Sequence, residues 1–110
     1  MLNKIFFIFM SISVFSTTSF AAKNIAGQKY YLKQCSSCHG KGNRGGGLAI
    51  SYEWEEYFAN GAKALISFHH DEPKALPYLK SEKFQKQKKK MLNFLIEFAS
   101  DSQGIPSCNN

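Results

Sequence analysis

Residues 35–39 of the chain read Cys-Ser-Ser-Cys-His, and residues 40–47 continue as Gly-Lys-Gly-Asn-Arg-Gly-Gly-Gly. The two thiols stand three positions apart, and an imidazole follows the second thiol directly. Residues 24–34, which come before the motif, have the pattern of a helix that begins at Asn24. The glycines after the motif indicate a flexible loop whose backbone can pass close to a flat ligand.

The Cys-x-x-Cys-His pattern is the attachment motif of c-type haem. Haem carries vinyl groups on two adjacent pyrroles, and two cysteines at this spacing can form a thioether to each. The histidine is then brought beneath the iron as its proximal ligand. We therefore predict one covalent haem c, tethered by Cys35 and Cys38, with His39 on the iron.

Other uses of the two cysteines fit the sequence less well. A structural zinc site needs two more ligands at zinc-finger spacing, and the chain offers only the adjacent His69 and His70 and the single Cys108. A thioredoxin-like pair needs a βαβ context, whereas no alternating strand pattern is present. A simple disulfide leaves the adjacent histidine unexplained.

The first 21 residues have the pattern of a cleaved secretory signal peptide. Lys4 precedes an apolar run over residues 5–15, and Ser-Phe-Ala at 19–21 fits a cleavage site. An uncleaved membrane anchor is the alternative, but a spanning helix needs about 20 apolar residues. We expect cleavage, a periplasmic protein and no stable membrane insertion afterwards.

The remaining chain is expected to form one small domain over residues 22–102, followed by a tail over 103–110. The formal net charge of +6 falls to +5 on cleavage, because Lys4 is the only charged residue of the first 21. This basicity suits an acidic surface on a partner. Nucleic acid is not an expected partner, because the chain is exported and carries no nucleic-acid-binding motif.

The rest of the sequence predicts helices. Residues 51–65 read as a helix with a break at the Asn-Gly pair of 60–61, and the two prolines of residues 67–78 indicate a loop or short turns. Residues 81–100 give the clearest helix, with Ser81 as its N-cap. We therefore predict an all-α domain of three to four helices.

With these features the chain resembles the small monohaem cytochromes c. In that family the first helix carries a glycine, then an aromatic residue and the first haem cysteine at steps of four, as do Gly27, Tyr31 and Cys35. The family's last helix crosses the first at that glycine through a leucine and an aromatic residue, which Leu95 and Phe98 match. The resemblance implies a cytochrome c-like domain packed around one haem.

The chain departs from the family at Ser51, where a proline usually supplies the carbonyl that orients the proximal histidine. A carbonyl within residues 43–49 would then have to hold the His39 Nδ1–H.

The sixth iron ligand is left open by the sequence. The family norm is a methionine in the loop before the last helix, but Met91 falls inside that helix, where methionine usually fills a core. His69 and His70 stand where the family has its ligand loop. We favour His69 as the distal ligand, with His70 and Met91 as alternatives.

Two further features have open interpretations. The lysine run forms either an ordinary solvated helix face or a docking patch for a redox partner. Its members are Lys80, Lys83, Lys86, Lys88, Lys89 and Lys90. Cys108 is left over after haem attachment and is either a free thiol or one half of an intermolecular disulfide.

The function predicted from these features is that of an electron carrier, with no catalytic residues. It would shuttle single electrons between periplasmic or membrane-bound reductases, dehydrogenases or oxidases. The alternative is a haem-based sensor or small-ligand-binding protein with an open sixth site.

Overall fold

The computed structural model describes residues 24–102, which form six helices and no strand. The helices are α1 (Ile25–Gln34), α2 (Ser36–His39), α3 (Gly42–Gly46), α4 (Ser51–Phe68), α5 (Leu76–Leu79) and α6 (Glu82–Glu97). The all-α prediction is confirmed. The predicted number of three to four helices is wrong, because α2, α3 and α5 have only four or five residues and are too short to show a helical period in the sequence.

Three of the expectations fall elsewhere in the chain. The predicted signal peptide (residues 1–21), the predicted tail (residues 103–110) and Cys108 lie outside the described residues. Within the described part of the chain, no helix is long and apolar enough to cross a membrane.

Helix α6 supplies most of the core. Its N-cap is Ser81, as predicted, and the Ser81 hydroxyl accepts a hydrogen bond from the Phe84 N–H at 3.1 Å. The side chains of Phe84, Met91 and Phe94 recur at helical spacing and are at most 1% exposed. This apolar face is the surface on which the other helices pack.

Helices α1 and α6 cross at Gly27. A Cβ atom added to Gly27 would lie 2.1 Å from the carbonyl oxygen of Lys90 and 2.9 Å from the Phe94 Cβ. The atoms nearest to this Cβ thus belong to Lys90 and Phe94. Of the two residues inferred from the resemblance, Leu95 lines a cavity and Phe98 lies against a glycine of α3.

The glycines after the motif also differ from expectation. Instead of a flexible loop, they form α3, in which Gly42, Gly45 and Gly46 are buried. A Cβ on Gly45 would lie 1.8 Å from the hydroxyl oxygen of Tyr31. These glycines are therefore needed for close packing of a short helix on aromatic side chains.

Helix α4 contains the predicted break. Asn60, Gly61 and Ala62 have φ values of 54°, 68° and 62°, which is left-handed backbone. The Gln85 side-chain amide donates a hydrogen bond to the Gly61 carbonyl at 3.0 Å and ties this turn to α6. The helix then resumes as far as Phe68, so the loop predicted from residue 67 begins later than expected.

We expect Gly27→Ala to lower the free energy of unfolding by about 2 kcal/mol. The added methyl group must push two helices apart, which outweighs the roughly 1 kcal/mol that alanine gains over glycine in a helix. Denaturant unfolding followed by circular dichroism measures this change.

Gly47→Ala is the matched control. The nearest atom to its added Cβ is 3.3 Å away, so the change in unfolding free energy should stay within about 1 kcal/mol. Equal effects of the two substitutions would contradict the tight crossing at Gly27.

Candidate functional site

A cavity of about 440 Å³ opens beside the Cys-x-x-Cys-His motif. This volume lies within the range of pockets that hold organic ligands and cofactors. Most of its walls are apolar or aromatic. They include Leu48, Trp54, Phe58, Leu65, Tyr78, Leu79 and Leu95.

The motif itself folds as a single helical turn at the edge of the cavity. The backbone N–H groups of Cys38 and His39 donate to the Cys35 carbonyl at 3.2 and 3.0 Å. All three residues line the cavity. Cys35 is half-buried and Cys38 is exposed, and both are free thiols. Two thiols and an imidazole are therefore presented to the same space by five consecutive residues.

The cavity environment favours uncharged groups. Burial, with a smaller contribution from Cys38, raises the pKa of the Cys35 thiol to about 11. Burial likewise raises the pKa values of Tyr31 and Tyr78 to about 12, with Cys35 adding to the shift in both cases. An ionised group is therefore costly at these positions.

His69 lies across the cavity from His39. Their ring centroids are 5.9 Å apart, and the ring planes are nearly perpendicular, at 80°. Two imidazoles that share one metal ion at bond lengths of about 2 Å have ring centres roughly 6 Å apart. The separation would therefore allow both imidazoles to bind one metal ion.

A backbone contact orients the His69 ring. Its Nδ1 atom lies 2.6 Å from the Leu65 carbonyl oxygen, so that the Nδ1–H tautomer donates there and leaves Nε2 free to bind a metal. Such a hydrogen bond from the second ring nitrogen is usual for metal-binding histidines.

The other two ligand candidates are placed differently. His70 is exposed, with Nδ1 3.0 Å from the Ser67 carbonyl and Nε2 2.9 Å from the Asp71 carboxylate, and it does not line the cavity. Met91 does line the cavity, but its sulfur packs 4.0 Å from the Cys35 Sγ. The structure thus brings Cys35, Cys38, His39, His69 and Met91 together and leaves His70 outside.

One hydrogen bond at the site was not foreseen from the sequence. In the segment expected to supply a carbonyl for His39, the Gly46 carbonyl accepts a hydrogen bond from the buried Trp54 indole at 2.8 Å. Nothing in the sequence linked this indole to α3.

The sequence gives no signal for three other wall residues. Glu72, Lys74 and Ala75 line the cavity from the turn before α5. That turn has no periodic pattern that could have identified them.

Comparisons of the chain with models of known protein families, with curated proteins and with solved structures find no match.

The burial of Cys35 predicts a difference in thiol reactivity in protein made without haem attachment. At pH 9 iodoacetamide should modify Cys38 before Cys35, because the raised pKa leaves Cys35 with roughly fiftyfold less thiolate at that pH than an ordinary cysteine has. Peptide mass mapping separates these two thiols from Cys108. The Cys35 rate should keep rising to about pH 11, and equal rates for Cys35 and Cys38 would contradict its burial.

Proposed function

We propose that this chain is an exported monohaem cytochrome c that carries single electrons in the periplasm. One observation carries the proposal. The Cys-x-x-Cys-His turn borders an apolar cavity of cofactor size, and a second histidine faces the motif histidine across it at 5.9 Å.

The residues of the cavity fit haem in chemistry as well as in size. Cys35 and Cys38 would hold its vinyl groups as thioethers, while His39 and His69 would bind the iron from opposite faces. When bound, the haem supplies an iron that takes up and releases one electron. The apolar walls exclude water, and the Leu65 carbonyl keeps the His69 ring in position.

The choice of His69 as distal ligand sets the redox behaviour. Methionine at the sixth position raises the potential of a haem, so paired histidines predict a lower potential than the His/Met pair common in the resembling family. Met91 acts instead as a packing residue behind the Cys35 thioether, consistent with its contact to that sulfur.

The main alternative is a haem sensor or ligand-binding protein with an open sixth site. The position of His69 favours the electron carrier, because a histidine at this distance would fill the site. The proposed partners are other redox proteins, which are periplasmic or membrane-bound reductases, dehydrogenases or oxidases.

Expression with a haem-attachment system should give red protein whose mass equals the mature chain plus one haem. The pigment should survive acid–acetone extraction, because thioethers are covalent. Cys35→Ala and Cys38→Ala should each reduce the covalent haem content severely, whereas Cys108→Ala should leave it unchanged. Colourless protein, or pigment that is extracted, would overturn the proposal.

We expect His69→Ala to create an open coordination site and His70→Ala to leave the iron six-coordinate. The reduced wild-type protein and the His70→Ala variant should resist carbon monoxide, while His69→Ala should bind it rapidly, as followed by the visible absorption spectrum. A near-infrared methionine-to-iron charge-transfer band in the oxidised His69→Ala protein would instead show that Met91 can reach the iron. Rapid carbon monoxide binding by the wild type would favour the sensor.

A further inference from the structure

Exposed hydrophobic side chains gather beside the cavity. Leu48 is 59% exposed, Tyr52 63% and Phe68 63%, and Ile50 is exposed as well. Leu48 and Phe68 also line the cavity. All four lie within residues 48–68, and Tyr52 is linked to Tyr57 through Glu56, whose carboxylate acts on both hydroxyls. Exposed apolar groups on a protein surface that cluster in this way usually mark an interaction site.

Direct contacts connect this group to the cavity wall. The Phe68 ring packs edge-on against Tyr57, with centroids 5.1 Å apart, and Tyr57 itself lines the cavity. The Tyr57 hydroxyl donates to the Glu53 carboxylate at 3.1 Å, and the same carboxylate accepts the Ile50 N–H at 3.2 Å. Tyr57 is therefore the residue that joins the exposed group to the cavity.

The charges around this group are negative. Residues 45–62 contain three carboxylates and no cation. The hydrogen bond that the Tyr57 hydroxyl donates to Glu53 is the largest cause of its raised pKa, and the charge of Glu56 adds a smaller contribution. Glu72 and Lys74, which line the cavity, carry opposite charges. The local charge thus has the opposite sign to the net charge of the whole chain.

Two lysines of α6 project away from the cavity. With 3.6 residues per turn, Lys86 and Lys89 project about 140° and 160° around α6 from Met91. Met91 faces the cavity, and no lysine of α6 lines it. Lys86 is also paired with Glu82 at 3.8 Å. Lys86 and Lys89 therefore project away from the side of α6 that faces the cavity.

We propose that electrons are exchanged through the docking patch formed by Leu48, Ile50, Tyr52, Glu53, Glu56 and Phe68. The partner is an electron-transfer protein whose docking face has basic side chains around an apolar centre. This inference rests on the proposed function. Its basis is charge complementarity, since transient redox complexes are small and rely on steering.

The test uses the reduced haem protein and tris(phenanthroline)cobalt(III), a trivalent cation with apolar faces that stands in for such a partner. The haem iron loses one electron and cobalt(III) becomes cobalt(II), with no bond or proton transferred. Although the chain is basic overall, the rate constant measured by stopped flow should fall as ionic strength rises. A rate that increases with salt would overturn the proposal.

Reversing the charge of Glu56 tests whether the salt dependence of the rate arises at the docking patch. Glu56→Lys should lower the rate constant with the cobalt cation by on the order of tenfold at about 0.01 M ionic strength. With ferricyanide, an anion, it should raise the rate. Glu82→Lys is the matched control, because Glu82 is exposed on α6 about 180° around the helix from Met91 and should change either rate less than about twofold.

Two more variants compare the contribution of the docking patch to the rate with that of a lysine that projects away from the cavity. Tyr52→Ser should lower the rate with the cobalt complex without changing its salt dependence, because it removes apolar contact and no charge. Lys89→Glu should leave the rate nearly unchanged. A larger effect of Lys89→Glu than of Glu56→Lys, or equal effects of the Glu82 and Glu56 variants, would overturn the proposal.

The haem content of every protein is measured first, by mass and by absorption. This measurement distinguishes failure of the docking patch from failure of the proposed function. A wild-type chain without haem overturns both. Haem protein in which Glu56→Lys has no specific effect overturns only the docking patch. Sedimentation that shows a dimer disrupted by Glu56→Lys would identify a second copy as the occupant and also overturn it.

Discussion

The approach of Gly27 to the Lys90 carbonyl leaves no room for any side chain, and this contact holds α1 and α6 together. This contact also positions two residues of the site, because Cys35 directly follows α1 and Met91 directly follows Lys90. With the two helices locked, the Cys35 and Met91 sulfurs meet at 4.0 Å. The position of the motif against the cavity therefore depends on a backbone contact made two helical turns earlier in the chain.

The sequence predicts the features that depend only on residues close together in the chain. Ser81 caps α6 because a hydroxyl before a helix can satisfy a free N–H three residues on. The Asn-Gly pair of 60–61 breaks α4 because these residues accept left-handed backbone at least cost. The Cys-x-x-Cys-His motif lies at a cavity edge, where covalent attachment of a cofactor would require it.

Features that depend on packing between distant elements could not be predicted from the same signals. Nothing local separates His69 from His70. Their difference arises because α4 resumes after its left-handed turn and sets the Leu65 carbonyl beneath the His69 ring. The residue that packs on Gly27 could not be predicted either. The apolar pattern of α6 is compatible with Leu95 or Phe94 at that position, and the geometry of the helix crossing places Phe94 there.

Burial acts on a bound iron as it does on the side chains around it. The cavity raises the pKa values of Cys35, Tyr31 and Tyr78 because it disfavours charge. Oxidised haem carries one more positive charge than reduced haem, so the same burial stabilises the reduced state and raises the potential. Paired histidine ligands lower it. In the proposed carrier the potential is therefore a balance between ligand choice and desolvation, and a change that lets water reach His69 would lower it without altering either ligand.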